Sequence, residues 1–121
     1  MEFVPFEIAV KLKEKGFDYP CFGHYVNSQL YVAHYHNAFH SDSKESIDAP
    51  TVSQVLKWLR EEKELHTEIY MYHNYYLWEI YNTQIYDSDF TQKSEKYSET
   101  EYETYEEAAL AGIKYVIDNL I

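Results

Sequence analysis

The chain has 121 residues, of which 21 are acidic and 10 are basic, so its formal net charge is −11 with the histidines neutral. This length and a hydrophobic content of 45% predict one folded domain over residues 1–121. The negative charge disfavours direct binding of DNA or RNA, and no apolar run approaches the roughly 20 residues that a membrane span needs.

The first predicted element is a helix that begins near Pro5 and ends at Gly16. Proline suits a first helical position, and apolar residues recur after it at helical spacing. Gly16 followed by Phe17 is typical of a helix end that closes with a left-handed glycine and a hydrophobic contact.

A hairpin is predicted next, over Cys21–His36, because this segment is rich in aromatic and β-branched residues. Asn27 and Ser28 lie at its middle and indicate the turn, although the pattern leaves the register open. Residues 36–48 are polar and predict a loop that is long enough to contain another short element.

Two capping boxes predict the starts of two further helices. Thr51 with Gln54 begins one that runs to about Lys63, and Thr104 with Glu107 begins one that reaches the last residues. Their apolar stripes are Val52, Val55, Leu56 and Leu59 in the first, and Ala109, Leu110, Ile113, Val116, Ile117 and Leu120 in the second.

Between these helices a second hairpin is predicted from His66–Tyr72 and Tyr76–Tyr86, which alternate as strands do. A two-residue turn at Asn74 and Tyr75 would divide the side chains into two faces. The expected core face is Ile69, Met71, Trp78 and Ile80, and the expected open face is Glu68, Tyr70, Tyr72, Leu77, Glu79 and Tyr81.

The element order is therefore α-ββ-α-ββ-α, which predicts the α+β class. The expected assembly is one antiparallel sheet of about four strands with three helices packed on one face. The core is expected to bring together Trp78, Ile80, Ile69, Leu56, Leu59, Ile113 and Ile117.

The fourteen tyrosines are the main indication of function. A tyrosine has an apolar body and a polar tip, so it can remain hydrated on a sheet and still anchor a partner. The predicted interaction surface consists of Glu68, Tyr70, Tyr72, Glu79 and Tyr81 with Tyr97 and Tyr102 from the acidic segment before the last helix. Cross-strand tyrosine pairs that only stabilise the hairpin are the commoner explanation of such a face.

A Cys/His cluster is the alternative site. His34 and His36 point the same way on a strand, and a turn at Asn27 and Ser28 would place Cys21 opposite His34. The only obvious candidate for a fourth metal ligand is His40. Histidines with a purely structural role explain the pattern more simply. The same residues could form a catalytic pair, but the sequence indicates no oxyanion hole or orienting partner.

The last helix has a second face made of small residues. Ala108 and Gly112 are four residues apart and let another backbone approach closely, with Ala111 and Tyr115 beside them. An exposed alanine-rich helix is the simplest explanation. The alternatives are packing on a neighbouring element and a symmetric homodimer.

Several segments resemble a family of small uncharacterised proteins from gut bacteria of the Bacteroidetes type and their phages or mobile elements. Three groups of residues carry the resemblance. The first is 12–18 with Pro20 and Cys21, the second is 49–51 with Gln54 and 58–61, and the third is 104–108 with Gly112 and Ile113. These motifs are helix caps and helix faces, which specify a fold and not a reaction. The resemblance implies a cytoplasmic accessory protein of mobile-element origin, with no catalytic residues to carry over.

Taken together, these patterns predict a non-enzymatic protein-interaction domain with a protein partner and no cofactor. With only three glycines, the sequence contains neither a P-loop nor a dinucleotide-binding fingerprint. Its single cysteine is compatible with the reducing cytoplasm. The alternatives are a metal protein or small enzyme that uses Cys21, His34 and His36, and an acidic mimic of nucleic acid.

Overall fold

Three helices and six strands follow one another along residues 2–32, 46–86 and 92–121, which are the residues described by this computed structural model. The elements are α1 (Phe6–Glu14), β1 (Gly23–Val26), β2 (Gln29–Val32), β3 (Ser46–Ala49), α2 (Val52–Glu62), β4 (Leu65–Tyr72), β5 (Tyr75–Tyr86), β6 (Gln92–Tyr97) and α3 (Tyr105–Asn119). The α+β class and the three helices are therefore confirmed. Within these ranges no helix has the length and apolar content that crossing a bilayer requires.

The strands form two antiparallel sheets of three strands, so the expected single sheet of about four strands is wrong. Their orders are β2-β1-β3 and β4-β5-β6. Strands β3 and β6 lie in polar or charged segments that show little hydrophobic alternation, and pairing with β1 and β5 is what makes them strands. The chain divides into two compact units, Met1–Val55 and Leu56–Ile121, each with one sheet. The single domain expected over residues 1–121 stays a prediction.

In the first unit, α1 ends as its sequence predicts. Gly16 has a φ of +88°, and its N–H donates to the carbonyl of Lys13 at 3.2 Å. The N–H of Phe17 reaches back to the carbonyl of Leu12 at 2.9 Å. These two bonds are the Schellman pattern, which satisfies carbonyl groups that the helix leaves free. Pro5 is the N-cap residue of α1.

The first hairpin turns at Asn27 and Ser28, as expected. Both residues have positive φ, 53° and 67°, which is the backbone of a type I′ turn. Strand β1 lies between β2 and β3 and is the most buried strand of this sheet. Its Tyr25 is tied to the N-terminal segment, because the hydroxyl donates to the carbonyl of Val4 at 2.6 Å.

Helix α2 begins with a reciprocal capping box. The N–H of Gln54 donates to Oγ1 of Thr51 at 3.2 Å, and the N–H of Thr51 donates to Oε1 of Gln54 at 2.9 Å. The amide of Gln54 also donates to the carbonyl of Pro20 at 3.0 Å. The predicted cap is confirmed, and it connects the helix start to the segment before β1.

In the second unit, the hairpin turns at His73 and Asn74 and not at Asn74 and Tyr75. The two turn residues have φ values of 53° and 79°, and Tyr72 pairs with Tyr75. A type I′ turn needs positive φ at both central positions. Histidine and asparagine adopt it more readily than a bulky tyrosine does, so the turn lies one residue earlier than predicted.

This correction moves the strand register by two residues. Trp78 lies opposite Ile69, whereas the predicted turn placed it opposite Met71. Since side chains alternate with a period of two, the shift leaves the predicted faces intact. The expectation that Met71 is in the core is wrong, because its position beside the turn leaves it 61% exposed.

Helix α3 begins at the predicted cap, where Oγ1 of Thr104 accepts a hydrogen bond from the N–H of Glu107 at 3.1 Å. Its small-residue face packs on the sheet. A Cβ atom at Gly112 would lie 2.9 Å from Cγ2 of Thr67 and 3.3 Å from Cβ of Trp78. The prediction that this face is an exposed alanine-rich helix surface is therefore wrong, because the face packs on the sheet of the same chain.

The core of the second unit lies between α3 and the adjacent face of the sheet. Of the seven side chains expected there, Leu59, Trp78, Ile80, Ile113 and Ile117 are buried, while Leu56 and Ile69 are half-buried. Ala108, Ala109 and Val116 of α3 complete the buried helix surface.

Gly112→Ala tests the close approach of α3 to the sheet. Alanine would normally stabilise a helix interior by about 0.5–1 kcal/mol relative to glycine. Here we expect a loss of about 1–3 kcal/mol in the free energy of unfolding, because the added methyl meets Thr67 and Trp78. Denaturant unfolding measures it, and combining the change with Thr67→Ser should recover part of the loss. A more stable Gly112→Ala variant would contradict this packing.

The helix caps give a second expectation. Thr51→Ala and Thr104→Ala should each lower the free energy of unfolding by about 1 kcal/mol, since each leaves a helical N–H without its acceptor. Ser53→Ala, at an exposed position inside α2, is the control and should change stability much less. Equal effects of all three substitutions would argue against a capping role.

Candidate interaction surface

The second sheet has one face that α3 does not cover, and we call it the Tyr/Glu face. Thr67 and Trp78 contact Gly112 of α3, and side chains alternate along a strand. The residues on the opposite side of β4 and β5 are His66, Glu68, Tyr70, Tyr72, Tyr75, Leu77, Glu79 and Tyr81. All six residues that the sequence predicted for the open face are in this set.

Strand pairing also explains what sequence reasoning missed. The predicted turn includes Tyr75, so only the corrected register adds it to the face, opposite Tyr72. His66 also lies on the Tyr/Glu face, because it pairs with Tyr81. Tyr72 and Tyr75 are exposed, and His66 is half-buried. The strand alternation of the sequence puts His66 on the same side as Glu68 and Tyr70.

Two carboxylates lie directly opposite each other at the centre of the Tyr/Glu face. Glu68 of β4 pairs with Glu79 of β5, and like charges in directly opposite positions destabilise a strand pair. Glu68 is exposed and Glu79 is half-buried. Within residues 2–32, 46–86 and 92–121, no lysine, arginine or histidine forms an ion pair with either carboxylate.

The neighbouring tyrosines are electrostatically coupled to this glutamate pair. Burial, a hydrogen bond from its hydroxyl to Glu79 and the nearby negative charges together raise the pKa of Tyr81 to about 12. Burial and the charges of Glu79 and Glu68 also raise the pKa of Tyr70. Both phenols therefore remain protonated at neutral pH and can donate hydrogen bonds.

Tyr97 extends the face onto β6. It pairs with Glu79, and its side chain is 60% exposed. The β5–β6 pairing is irregular, with one register shift between Ile80 and Tyr81 and another between Tyr81 and Tyr86. Of the seven residues predicted for the interaction surface, six are thus on this face: Glu68, Tyr70, Tyr72, Glu79, Tyr81 and Tyr97.

Tyr102 is the predicted residue that the structure does not bring to this face. Its backbone forms an isolated bridge with Tyr76, with N to O distances of 2.8 and 2.9 Å. Tyr76 lies on the side of the sheet that α3 covers. There Tyr102 lines a shallow groove of about 300 Å³ together with Trp78, Ala111, Lys114, Tyr115, Asp118 and Asn119.

The groove contains an aromatic contact and a buried donor. The rings of Trp78 and Tyr115 are 5.4 Å apart between centroids. The indole Nε1 of Trp78 and the hydroxyl of Thr67 are both buried without a hydrogen-bond partner in the described part of the chain. The indole N–H has almost no exposed surface, so it does not offer a hydrogen bond to a molecule in the groove.

The alternative Cys/His site is described only at Cys21, because His34 and His36 lie outside the described residues. Cys21 is fully buried, and its thiol donates to the carbonyl of Tyr19 at 3.2 Å. Burial and the charge of Asp48 raise its pKa to about 12. A thiol that stays protonated at neutral pH is a poor nucleophile.

A further polar contact in this unit joins β1 to β3. Nε2 of His24 lies 3.3 Å from Oδ1 of Asp48, and both side chains are largely buried. In the part of the chain that the structure describes, no group of three or more His, Cys, Asp or Glu side chains is arranged to hold a metal ion.

No family model, curated protein or solved structure matches this chain. The resemblance to small proteins of gut bacteria and their phages therefore stays a prediction. The chemistry of the Tyr/Glu face is the remaining indication of function.

The coupling between Tyr81 and Glu79 has a measurable effect at high pH. The pKa of Tyr81 is raised in the folded chain, so the unfolded chain releases this proton first. We therefore expect stability to fall as pH rises from about 10 towards 12. Tyr81→Phe should remove this part of the decline, and Glu79→Gln should reduce it. Glu101→Gln, which removes an exposed carboxylate outside the Tyr/Glu face, is the control. Denaturation midpoints across this pH range that are identical in all variants would contradict the coupling.

Proposed function

We propose that the protein is a non-enzymatic interaction domain that binds a basic polypeptide through the Tyr/Glu face. The observation that carries this proposal is the position of Glu68 opposite Glu79, with no ion-pair partner for either among the described residues. Their repulsion costs stability in the free protein. A lysine or arginine of a partner would neutralise it, so the face is more favourable when it is covered by positive charge.

The tyrosines around the two glutamates supply the contact area. Tyr70, Tyr72, Tyr75 and Tyr97 expose large aromatic surfaces while they remain anchored in the sheet. Tyrosine is enriched at interfaces because it covers much area at low cost in conformational entropy. Aromatic rings also attract lysine and arginine side chains through cation–π contacts.

The charge of the whole chain favours the same partner. A net charge of −11 accelerates the encounter with a basic surface and repels acidic ones. The resemblance to small proteins of gut bacteria and their phages or mobile elements implies only an accessory role. We propose that the protein and its partner meet in the cytoplasm, as the single cysteine suggests.

The test compares variants that change net charge equally at different places. Glu68→Gln with Glu79→Gln removes the central pair, while Glu101→Gln with Glu106→Gln removes two exposed charges outside the face. Proteins captured from a lysate of a Bacteroidetes-type gut bacterium are identified, and their affinities for each variant are measured with the purified partner. We expect a basic partner whose affinity falls about tenfold or more with the first pair, a loss of about 1.4 kcal/mol, and changes little with the second.

Two results would reject this function. Equal losses with both pairs would mean that only net charge matters, and no loss with the first pair would mean that the face is not used. Competition with duplex DNA examines the nucleic-acid mimic: a captured DNA-binding protein that DNA displaces, and that both pairs weaken equally, would support the mimic instead.

A further inference from the structure

Strand β4 lies at an edge of its sheet, and among the described residues no other strand pairs with it on its outer side. Natural edge strands are usually protected by proline, lysine, bulges or short length. Strand β4 is eight residues long, contains neither proline nor lysine, and pairs with β5 without a register shift. The opposite edge strand, β6, has two lysines and an irregular register. Protection is thus confined to one edge.

The hairpin turn determines which backbone groups of β4 point outward. In a hairpin with a two-residue turn, the residues that flank the turn form a hydrogen-bonded pair, here Tyr72 and Tyr75. Hydrogen-bonded and non-hydrogen-bonded pairs then alternate, so Tyr70 directs its N–H and C=O to Leu77 of β5, while Ile69 and Met71 direct theirs outward. The 61% exposure of Met71 leaves this end of the edge accessible.

We propose that a basic segment of the partner adds to β4 as a further antiparallel strand. This binding mode rests on the function described in the preceding subsection. The main chain of the added segment hydrogen-bonds to the outward groups of Ile69 and Met71. Alternate side chains of the added strand lie on the Tyr/Glu face, where lysine or arginine neighbours Glu68. The other side chains lie beside Ile69 and Met71 on the opposite face and are apolar. This is recognition by strand addition.

The charge of the edge argues against a second copy of the chain as the occupant. Pairing two β4 strands would bring together two chains that each have a net charge of −11. Glu68, the one acidic residue of β4, would then lie close to the edge of the other copy that carries the same glutamate. The negative charge at this edge attracts a basic strand and repels an acidic one. Such repulsion of the wrong partner contributes to specificity.

The first experiment removes one outward hydrogen bond from the protein. The probe is a fluorescent, end-capped peptide of eight residues that alternates lysine and valine, and binding is measured by fluorescence anisotropy. Met71→Pro deletes an N–H that the sheet itself does not use, and proline is tolerated at such edge positions. We expect it to weaken binding about tenfold or more. Met71→Thr keeps the N–H and is the control, with an affinity close to that of the wild type.

The second experiment leaves the protein unchanged, so it does not depend on how Met71→Pro folds. The peptide is N-methylated either on its valines or on its lysines, which preserves its charge and removes donors. In an antiparallel added strand, the residues opposite Ile69 and Met71 direct their N–H groups to β4, and these are the valines. Methylated valines should abolish binding, whereas methylated lysines should have little effect. Equal or reversed effects would overturn the proposed strand.

These results separate the binding mode from the function. If the unmodified peptide binds and the Glu68→Gln, Glu79→Gln pair weakens it, but Met71→Pro and the methylated valines do not, strand addition is rejected and the interaction function stands. If neither this peptide nor any basic protein binds the wild type, the function itself fails. Sedimentation that shows a dimer of the wild type, lost in Met71→Pro, would identify a second copy as the occupant and overturn the proposal.

Discussion

The close approach of α3 to the second sheet is the constraint on which the rest of this unit depends. At Gly112 the helix lies so near Thr67 and Trp78 that a single methyl group would be crowded. A helix at this distance covers one face of β4 and β5 completely enough to bury Trp78 and Ile80. Because strand side chains alternate, the same contact leaves the tyrosines and glutamates on the open face.

The open face combines an electrostatic cost with a means of recognition. Glu68 and Glu79 oppose each other where a neutral pair would be more stable. Tyr81 offsets part of this cost by donating a hydrogen bond to Glu79. Such an arrangement is unfavourable in isolation, and in the proposed complex a cationic partner would compensate for this cost.

The face and the edge of the sheet have complementary roles in the proposed interaction. Side chains on the Tyr/Glu face would select for positive charge and supply aromatic contact area. Main-chain groups of β4 would supply hydrogen bonds that depend little on the partner's sequence. A surface of this kind would distinguish partners mainly by charge and by their ability to become extended, and the proposed strand addition would use the edge that lacks lysine and register shifts.

Local patterns in the sequence determined the helix caps at Thr51, Gly16 and Thr104, the turn at Asn27 and Ser28, and the division of β4 and β5 into two faces. Each depends on residues within a few positions of one another, so short-range physics is sufficient. The tertiary structure alone decided the strands β3 and β6, the division into two sheets, and the side of the sheet on which Tyr102 lies. These depend on pairing with another segment, where polar strands acquire their structure from a neighbour and not from their own residues. The turn at His73 and Asn74 is local, but Asn74 and Tyr75 also fit the alternation, and only the observed pairing of Tyr72 with Tyr75 distinguishes the two registers.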